Sequence, residues 1–423
     1  MSLVTLALVT ATATATATAV PATAAAAPTT AAAAPWSTPA GIPGAPDSSP
    51  LLAQDAAGPQ AVYWETLDLS GPSPSTDINT FVSPLGPGLQ PGAAAVLSPP
   101  LNTGSAVAYG HGQVALAQES GIATGPVTGP FVVHPLPIPV RAIAADASGE
   151  IAGVMEQCDP SGCDPAAPEL AIARPGHPFG RPIRLDRKGS DNGVGLAMDQ
   201  HGRILVAWDR DGGVYARFVS ARGKPGPLLH LGSEPAPSGF DVVISGDGRA
   251  AVGWTSQAVD EGDAGSPFTA TLALAGTNGR FGRARRLATV PVTGEERFVP
   301  YGGLVVALPA GRVGLAAWTG YDGTDFIVQA ASIGARGVGT PRTVSPPGTN
   351  AVLADAAEGP QGQAVILILP GLAGALGAGP SATDGLAAVT HTSATRAFGP
   401  PETIVPGPAA VDGASVGIDA STG

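Results

Sequence analysis

Lysine is almost absent from this chain of 423 residues and occurs only at positions 188 and 224. Charged side chains make up 13% of the sequence, and the formal net charge is -12. A nucleic-acid groove needs clustered cations that displace counterions from phosphates, so this composition argues against nucleic-acid binding. The acidic balance mainly favours solubility.

Long hydrophobic runs are also missing, since no stretch reaches the ~18 to 20 apolar residues that a membrane-spanning helix requires. The short apolar run Leu3 to Val9 precedes an Ala/Thr/Pro tract with several A-x-A sites. Residues 1–26 are therefore predicted to be an export signal, although no Lys or Arg precedes the apolar run. The alternative is a disordered Ala-rich tail on a cytoplasmic protein. Residues 27–52 are predicted to be a disordered linker, and residues 53–423 the folded domain of a secreted or cell-envelope protein.

Cysteine is equally scarce, with only Cys158 and Cys163 in the chain. Two cysteines close in sequence in an exported protein are expected to pair, which would stabilise a short loop by roughly 2 kcal/mol. Free thiols, or redox or metal chemistry, are the alternatives.

Glycine and proline, in contrast, are abundant, with 59 and 44 residues, as expected for an all-β protein rich in turns. Five segments repeat one pattern, in which an apolar strand, a Gly-bearing tight turn and a second apolar strand follow one another. These segments are Ala142 to Met155, Val194 to Trp208, Asp241 to Trp254, Leu304 to Trp318 and Ala356 to Ile368.

The second strand of each hairpin is apolar on both faces, so it must be covered on both sides. Trp64, Trp208 and Trp254 each lie six residues after a turn glycine, which predicts one large core side chain per repeat. Trp318 is displaced by one residue, which indicates a bulge or a longer turn.

A corner follows the third strand of each repeat. Phe-Gly occurs at 179–180, 281–282 and 398–399, and Gly226 and Gly339 occupy the same place in two other repeats. The Arg- and Pro-containing tail after each corner is typical of an outer edge strand.

Four strands per repeat predict a β-propeller of seven blades, with six as the alternative because the blade at 94–137 has a weak pattern. Ala414 to Gly423 supply only the first half of a repeat, and Gly58 to Thr66 only the second half. We therefore expect the ring to close by pairing of Ala414 to Asp419 with Ala61 to Trp64.

The unit D-x-x-G-R-x-x-V-x-W with its F-G-x-P tail resembles the repeats of secreted bacterial β-propeller proteins. Ser245-Gly-Asp247-Gly248 also resembles the Asp-box of sialidase-like propellers and the turn of TolB-like propellers. The resemblance implies the fold alone, and no catalytic residue is carried over.

Acidic residues cluster in the loops between second and third strands, which emerge on one face of a propeller. The candidate ligand-binding residues are Asp209, Asp211, Asp260, Glu261, Asp263, Asp322 and Asp325. Such carboxylates could hold Ca2+ or supply the paired acids of a glycoside hydrolase, and the alternative is that they are solvated loop tips.

Other motifs carry no chemistry. The G-x-S-x-G match at Ser415 lacks the strand-turn-helix context of a nucleophile elbow, the six histidines lack metal-ligand spacing, and no nucleotide-binding motif occurs. We expect no cofactor apart from the Ca2+ alternative. The expected function is that of a monomeric, non-enzymatic scaffold that binds a protein or glycan through loops on one face. A glycan-active enzyme, sialidase-like or lyase-like, and a purely structural envelope component are the alternatives.

Overall fold

The computed structural model describes residues 51–55, 58–67, 78–85, 95–96, 103–109, 113–118, 121–156, 167–188, 193–234, 237–256, 267–291, 303–335, 337–359, 362–371, 383–391, 398–409 and 416. Within these ranges the chain consists of strands, turns and irregular segments, which confirms the all-β class. The same ranges contain no helix that is long and apolar enough to cross a membrane.

The described residues form seven antiparallel sheets, each built from consecutive strands. Sheet 1 contains β1 (Leu51–Asp55), β2 (Gly58–Leu67), β3 (Ile78–Pro84) and β4 (Ala95–Val96). Sheet 2 contains β5 (Thr103–Tyr109), β6 (Gln113–Gln118), β7 (Gly121–Pro126) and β8 (Val132–Pro135). Sheet 3 contains β9 (Val140–Ala145), β10 (Ile151–Met155), β11 (Glu169–Ala173) and β12 (Ile183–Arg184).

The remaining four sheets repeat this arrangement. Sheet 4 contains β13 (Val194–Met198), β14 (Ile204–Arg210), β15 (Gly213–Val219) and β16 (Leu229–Ser233). Sheet 5 contains β17 (Pro237–Ile244), β18 (Ala250–Ser256), β19 (Phe268–Ala275) and β20 (Arg285–Val290). Sheet 6 contains β21 (Leu304–Ala307), β22 (Gly314–Tyr321), β23 (Phe326–Gly334), β24 (Gly337–Val338) and β25 (Arg342–Thr343). Sheet 7 contains β26 (Ala351–Glu358), β27 (Ala364–Pro370), β28 (Thr383–His391) and β29 (Glu402–Ala409).

The tight turns between first and second strands have the predicted glycine geometry. The N–H of Gly202 donates to the carbonyl of Asp199 (3.0 Å), and Gly202 has a φ of 72°. Gly248 repeats this arrangement with Ser245, at 2.8 Å and a φ of 89°. A turn closed by a residue of positive φ favours glycine, because a side chain there is strained.

Second strands lie in the interior, as their apolar character on both faces predicts. Every residue of β18 and of β27 is buried. Trp208, Trp254 and Trp318 are almost fully buried, which confirms their predicted core role. The displaced Trp318 follows a longer turn, since the paired residues Ala307 and Leu315 enclose more residues than their counterparts in sheet 4.

The five predicted corners contain the same type of backbone hydrogen bond. The N–H of a corner glycine donates to a carbonyl of the preceding third strand at 2.8 or 2.9 Å, and the five glycines are Gly180, Gly226, Gly282, Gly339 and Gly399. The edge strands β12 and β25, which follow two of these corners, have two residues each, and both residues of β25 are exposed. The alignment of corners with and without phenylalanine is thereby confirmed.

The hydrophobic core lies between sheets. Six of the seven apolar clusters of described residues join one sheet to the next in chain order; for example, Leu315 and Ala317 of sheet 6 pack with Ile366 and Ile368 of sheet 7. The first strands contact one another in the same order, from β1 to β5 and onward to β21 and β26. Small antiparallel sheets that pack face to face along a row of first strands constitute a β-propeller-type fold.

The predicted pairing of Ala414 to Asp419 with Ala61 to Trp64 is corrected by the structure. In sheet 1, Ala61 pairs with Ala53 of β1 on one edge and with Pro84 of β3 on the other. A strand has only two edges, so β2 has no room for a third partner along this stretch. Sheet 1 therefore takes its first strand from Leu51–Asp55, which begins inside the predicted linker and pairs with β2 as far as Asp55 and Gly58.

Candidate functional site

The predicted acidic residues occupy different environments. Asp209 lies within β14 and is fully buried, whereas Asp211 is exposed at the tip of the turn that follows, with a φ of 52°. Lys188 lies 3.2 Å from the Asp211 carboxylate. The structure thus brings Asp209 and Asp211 into one short turn, in which the exposed carboxylate faces a cation.

Asp322 and Asp325 share the corresponding turn of sheet 6. The Asp322 carboxylate accepts the N–H groups of Thr324 and Asp325 at 2.9 Å each. These hydrogen bonds, that from Asp325 foremost, lower the pKa of Asp322. This carboxylate stabilises its own turn.

The remaining predicted residues lie outside the described ranges, namely Asp260, Glu261, Asp263, Cys158 and Cys163. Their roles in ligand binding and in a disulfide stay predictions. In the part of the chain that the structure describes, no three His, Cys, Asp or Glu side chains form a group that could hold a metal ion.

A cavity of about 880 Å³ lies at the opposite end of the sheets, where the tight turns and corners meet. Its walls come from sheet 6, including Gly314 and Gly334, and from sheet 7, including Ala364. Arg249, which follows the tight turn of sheet 5, reaches the cavity and donates to the carbonyl of Pro309 at 2.7 Å. Three consecutive sheets therefore shape this space.

Glu358 is the central ionisable group of the cavity. It is the last residue of β26, and its Oε2 atom is buried with no hydrogen-bond partner among the described residues. Burial raises the pKa of Glu358 to about 8, although the positive charge of Arg249 acts in the opposite direction. The carboxyl is therefore mostly protonated, and so uncharged, at neutral pH.

His391 lies on the same face of sheet 7 as Glu358. Ala364 pairs with Glu358 on one side and with His391 on the other, so the three residues form a row across β26, β27 and β28. Nδ1 of His391 lies 3.1 Å from the carbonyl of Gly362, and the ring packs against Phe398 with centroids 5.3 Å apart. Burial lowers the pKa of His391, which keeps the ring uncharged at neutral pH.

Asp247 is held firmly at the cavity wall. Its Oδ2 atom accepts from Nε of Arg249 at 2.9 Å and from the N–H of Gly311 at 2.8 Å. Burial acts to raise the pKa of Asp247, but these hydrogen bonds outweigh it and lower the pKa. Asp247 is therefore an ionised structural group that joins sheets 5 and 6.

Two further carboxyl groups, those of Asp241 and Asp355, lie on first strands outside the cavity lining. Asp241 of β17 accepts the backbone N–H of Val306 in β21, and Asp355 of β26 accepts the N–H of Val416. Burial raises the pKa of Asp241 to about 7, with a further contribution from the charge of Asp355, and burial raises the pKa of Asp355 to about 6. Both residues are partly accessible to solvent while their carboxyl groups are largely enclosed by protein.

The sequence analysis did not identify Glu358, Asp241 or Asp355, although one signal was available. Glu358 lies four residues before its turn glycine, where sheets 5 and 6 carry Ile244 and Ala307. An acid at a position that is otherwise apolar indicates a buried carboxyl. Aligning the repeats on their turn glycines would have shown it.

Comparison with known proteins does not assign a family. No protein-family model matches the sequence, and no curated protein is similar enough in sequence to be a match.

Three solved structures illustrate the structural similarity. Hydrazine synthase of Kuenenia stuttgartiensis is 12% identical with a TM-score of 0.43, and the match covers 66% of this chain and 75% of that chain. A puromycin hydrolase S511A mutant complexed with PGG is 18% identical with a TM-score of 0.35, with 60% and 38% covered. A post-proline cleaving enzyme from Rickettsia typhi is 11% identical with a TM-score of 0.42, with 84% and 53% covered.

The matched part spans 38% of the puromycin hydrolase chain and 53% of the chain of the post-proline cleaving enzyme. All three TM-scores lie below 0.5, so the activities of these proteins carry no argument about this chain.

Proposed function

We propose that the protein is a non-enzymatic, extracytoplasmic β-propeller scaffold that binds a ligand in the cavity between sheets 6 and 7. The observation that carries this proposal is the Glu358 carboxyl in the cavity lining, whose Oε2 atom is buried without a hydrogen-bond partner among the described residues. A buried polar group without a hydrogen bond costs about 1 to 3 kcal/mol, and a bound ligand that supplies the bond recovers that cost. Concave sites with a few convergent polar groups are typical binding sites.

The two acids that line the cavity, Asp247 and Glu358, favour binding over catalysis. A glycoside hydrolase needs two carboxyl groups that are both available to the substrate. Asp247 is engaged by Arg249 and by the N–H of Gly311, which leaves Glu358 as the available acid among the described lining residues. With Glu358 as the available carboxyl among these residues, we propose that the cavity binds a ligand and does not hydrolyse one.

We further propose that the seven sheets are the blades of a closed ring. Asp355 accepts the N–H of Val416 in the same way that Asp241 accepts the N–H of Val306. Val416 is also buried in a cluster with Val352 and Leu369 of sheet 7. Val416 therefore lies against the first strand of sheet 7 as Val306 of β21 lies against the first strand of sheet 5, which supports closure through the C-terminal segment.

A cavity-filling variant tests the binding proposal. Gly334 lines the cavity, and a Cβ atom added there meets nothing within 4 Å, so Gly334→Phe can place a ring in the cavity without a backbone clash. Gly282→Phe is the matched control, because Gly282 is an exposed corner glycine outside the cavity lining whose added Cβ has only an ordinary contact at 3.8 Å.

Thermal-shift measurements should cover a panel of neutral sugars, sugar acids, sugar phosphates, amino acids and short peptides. We expect at least one compound to raise the melting midpoint of the wild type and of Gly282→Phe but not that of Gly334→Phe. Equal shifts in all three proteins would contradict binding in this cavity, and so would the absence of any shift across the panel.

A further inference from the structure

The charge of the cavity differs in sign from that of the whole chain. Arg249, Arg312 and Arg342 contribute three guanidinium groups to the lining, and Asp247 contributes one carboxylate. Glu358 is protonated at neutral pH because burial raises its pKa to about 8. Arg249 and Asp247 form an ion pair, and the described lining residues together carry a net charge of +2, in a protein whose formal net charge is -12.

The uncharged groups of the cavity are suited to hydrogen bonding. His391 adds no charge, since burial lowers its pKa, and the contact between its Nδ1 and the Gly362 carbonyl places the ring proton on Nδ1. Nε2 is then an acceptor. Ser332 and Thr340 bring exposed hydroxyl-bearing side chains to the lining, and Phe398 contributes an apolar surface.

We infer that this cavity binds a small organic oxyanion that carries hydroxyl groups, namely a sugar acid or a sugar phosphate. Guanidinium groups recognise carboxylate and phosphate through paired hydrogen bonds. The protonated carboxyl of Glu358 donates its O–H to the ligand, and Nε2 of His391 accepts from a hydroxyl. The inference rests on the proposed binding function and names the ligand class of that same site.

Because Glu358 lines the cavity, ligand binding should depend on whether its carboxyl is protonated. Among the described residues that line the cavity with Glu358, the charged groups are Arg249, Asp247, Arg312 and Arg342 from sheets 5 and 6, and uncharged His391 lies on the same sheet as Glu358. Of these lining groups, Glu358 alone is expected to change its charge between pH 7 and pH 9. An ionised Glu358 loses its donor and repels an anion, so affinity falls about tenfold over this range if only the protonated form binds.

Calorimetric titration of the full chain tests the inference with four probes, which are D-glucuronate, glucose 6-phosphate, D-glucose and inorganic phosphate. We expect D-glucuronate or glucose 6-phosphate to bind at pH 7, and the tighter of the two identifies carboxylate or phosphate as the anion. D-glucose and inorganic phosphate should bind at least about tenfold more weakly than that probe, since each lacks one half of the recognised chemistry.

The variant Glu358→Gln keeps an uncharged donor and cannot ionise. Its affinity for D-glucuronate should stay within about threefold of the wild type at pH 7 and should not decline toward pH 9. His391→Ala removes the proposed acceptor and should weaken binding at both pH values, while the decline in affinity toward pH 9 stays as in the wild type.

The outcomes separate the inference from the proposed function. Equal binding of D-glucose, failure of both sugar anions to bind, or an unchanged pH dependence in Glu358→Gln would overturn the inference. The binding proposal would still stand if another compound of the panel acted through the cavity. Inorganic phosphate that binds as tightly as glucose 6-phosphate would overturn the requirement for hydroxyl groups.

Discussion

Asp241 and Asp355 occupy the same position in two different sheets. Each lies seven residues before the turn glycine of its hairpin, Gly248 or Gly362, and each accepts a backbone N–H from a segment beside its own sheet. The charge of Asp355 raises the pKa of Asp241, so the two carboxyl groups influence each other electrostatically. Two enclosed carboxyl groups on first strands thus bind neighbouring backbone segments and make the stability of the fold sensitive to pH.

The stability of the wild type should decrease as the pH rises from about 4 to about 7. The folded-state pKa of Asp241 is raised to about 7 from an ordinary value of 3.8, so over this window the folded state binds a proton that the unfolded chain has released. The contribution of protonated Asp241 to the free energy of unfolding is complete below pH 4 and is lost as the pH rises through 7. Asp355 acts in the same direction up to a pH of about 6.

Asp241→Asn removes this titration and should flatten the pH profile. We expect the variant to be more stable than the wild type at pH 8, by about 1 to 2 kcal/mol, and to show no such gain at pH 5. Urea unfolding at the two pH values measures the difference. Asp211→Asn, at an exposed turn tip, is the control and should not change the profile.

The buried tryptophans should differ in their tolerance to phenylalanine. Nε1 of Trp318 donates to Oε1 of Gln329 at 3.1 Å, whereas Nε1 of Trp254 is buried with no hydrogen-bond partner among the described residues. Replacement of Trp318 removes a hydrogen bond, and replacement of Trp254 removes an unsatisfied donor. Trp318→Phe should therefore cost at least about 1 kcal/mol more than Trp254→Phe in denaturant unfolding, and equal costs would contradict these contacts.

Tyr63 links the first two sheets through one hydrogen bond. Its side chain is fully buried in sheet 1, and its hydroxyl donates to the carbonyl of Val127, near the end of β7 in sheet 2, at 3.0 Å. Tyr63→Phe keeps the ring and leaves the carbonyl without this donor, so the free energy of unfolding should fall by about 1 kcal/mol. An unchanged unfolding midpoint would show that this bond contributes nothing to the packing of sheet 1.

Glycine within a second strand allows two sheets to approach closely. A Cβ atom at Gly253 would lie 2.6 Å from Cδ2 of Leu304 in the next sheet, whereas at Gly334 it would meet nothing within 4 Å. Gly253→Ala should therefore lower the melting temperature and cost about 1 to 3 kcal/mol, while Gly334→Ala should have little effect. If both variants unfolded alike, sheets 5 and 6 would not be packed as closely as the structure shows.

The regular parts of the fold could be predicted from the sequence because they obey short-range rules. Turn glycines such as Gly202 and Gly248, the corner glycines and the apolar second strands all carry local signals, and each occupies its expected place. The start of the first sheet was missed. Asp55 pairs with Gly58 at the end of β1, but the Pro/Ala-rich sequence before it concealed the short strand Leu51–Asp55.

The site was harder to predict because it depends on which sheets become neighbours. Glu358 and His391 belong to one repeat, and their row across Ala364 follows from strand register. Arg249, however, comes from sheet 5 and reaches the cavity across the turn of sheet 6. Attention to the conspicuous acidic loops directed the sequence analysis to the opposite end of the sheets from this cavity.

Hydrogen-deuterium exchange with and without saturating D-glucuronate at pH 7 tests the central claim most directly, because it locates the bound compound on the chain. We predict that the compound slows exchange at the amides of 311–315, 330–335 and 362–364, which surround the cavity. The exchange rates at 209–213 and 322–325 should not change. Protection confined to those two acidic turns would place binding at the loop end and contradict the cavity as the functional site.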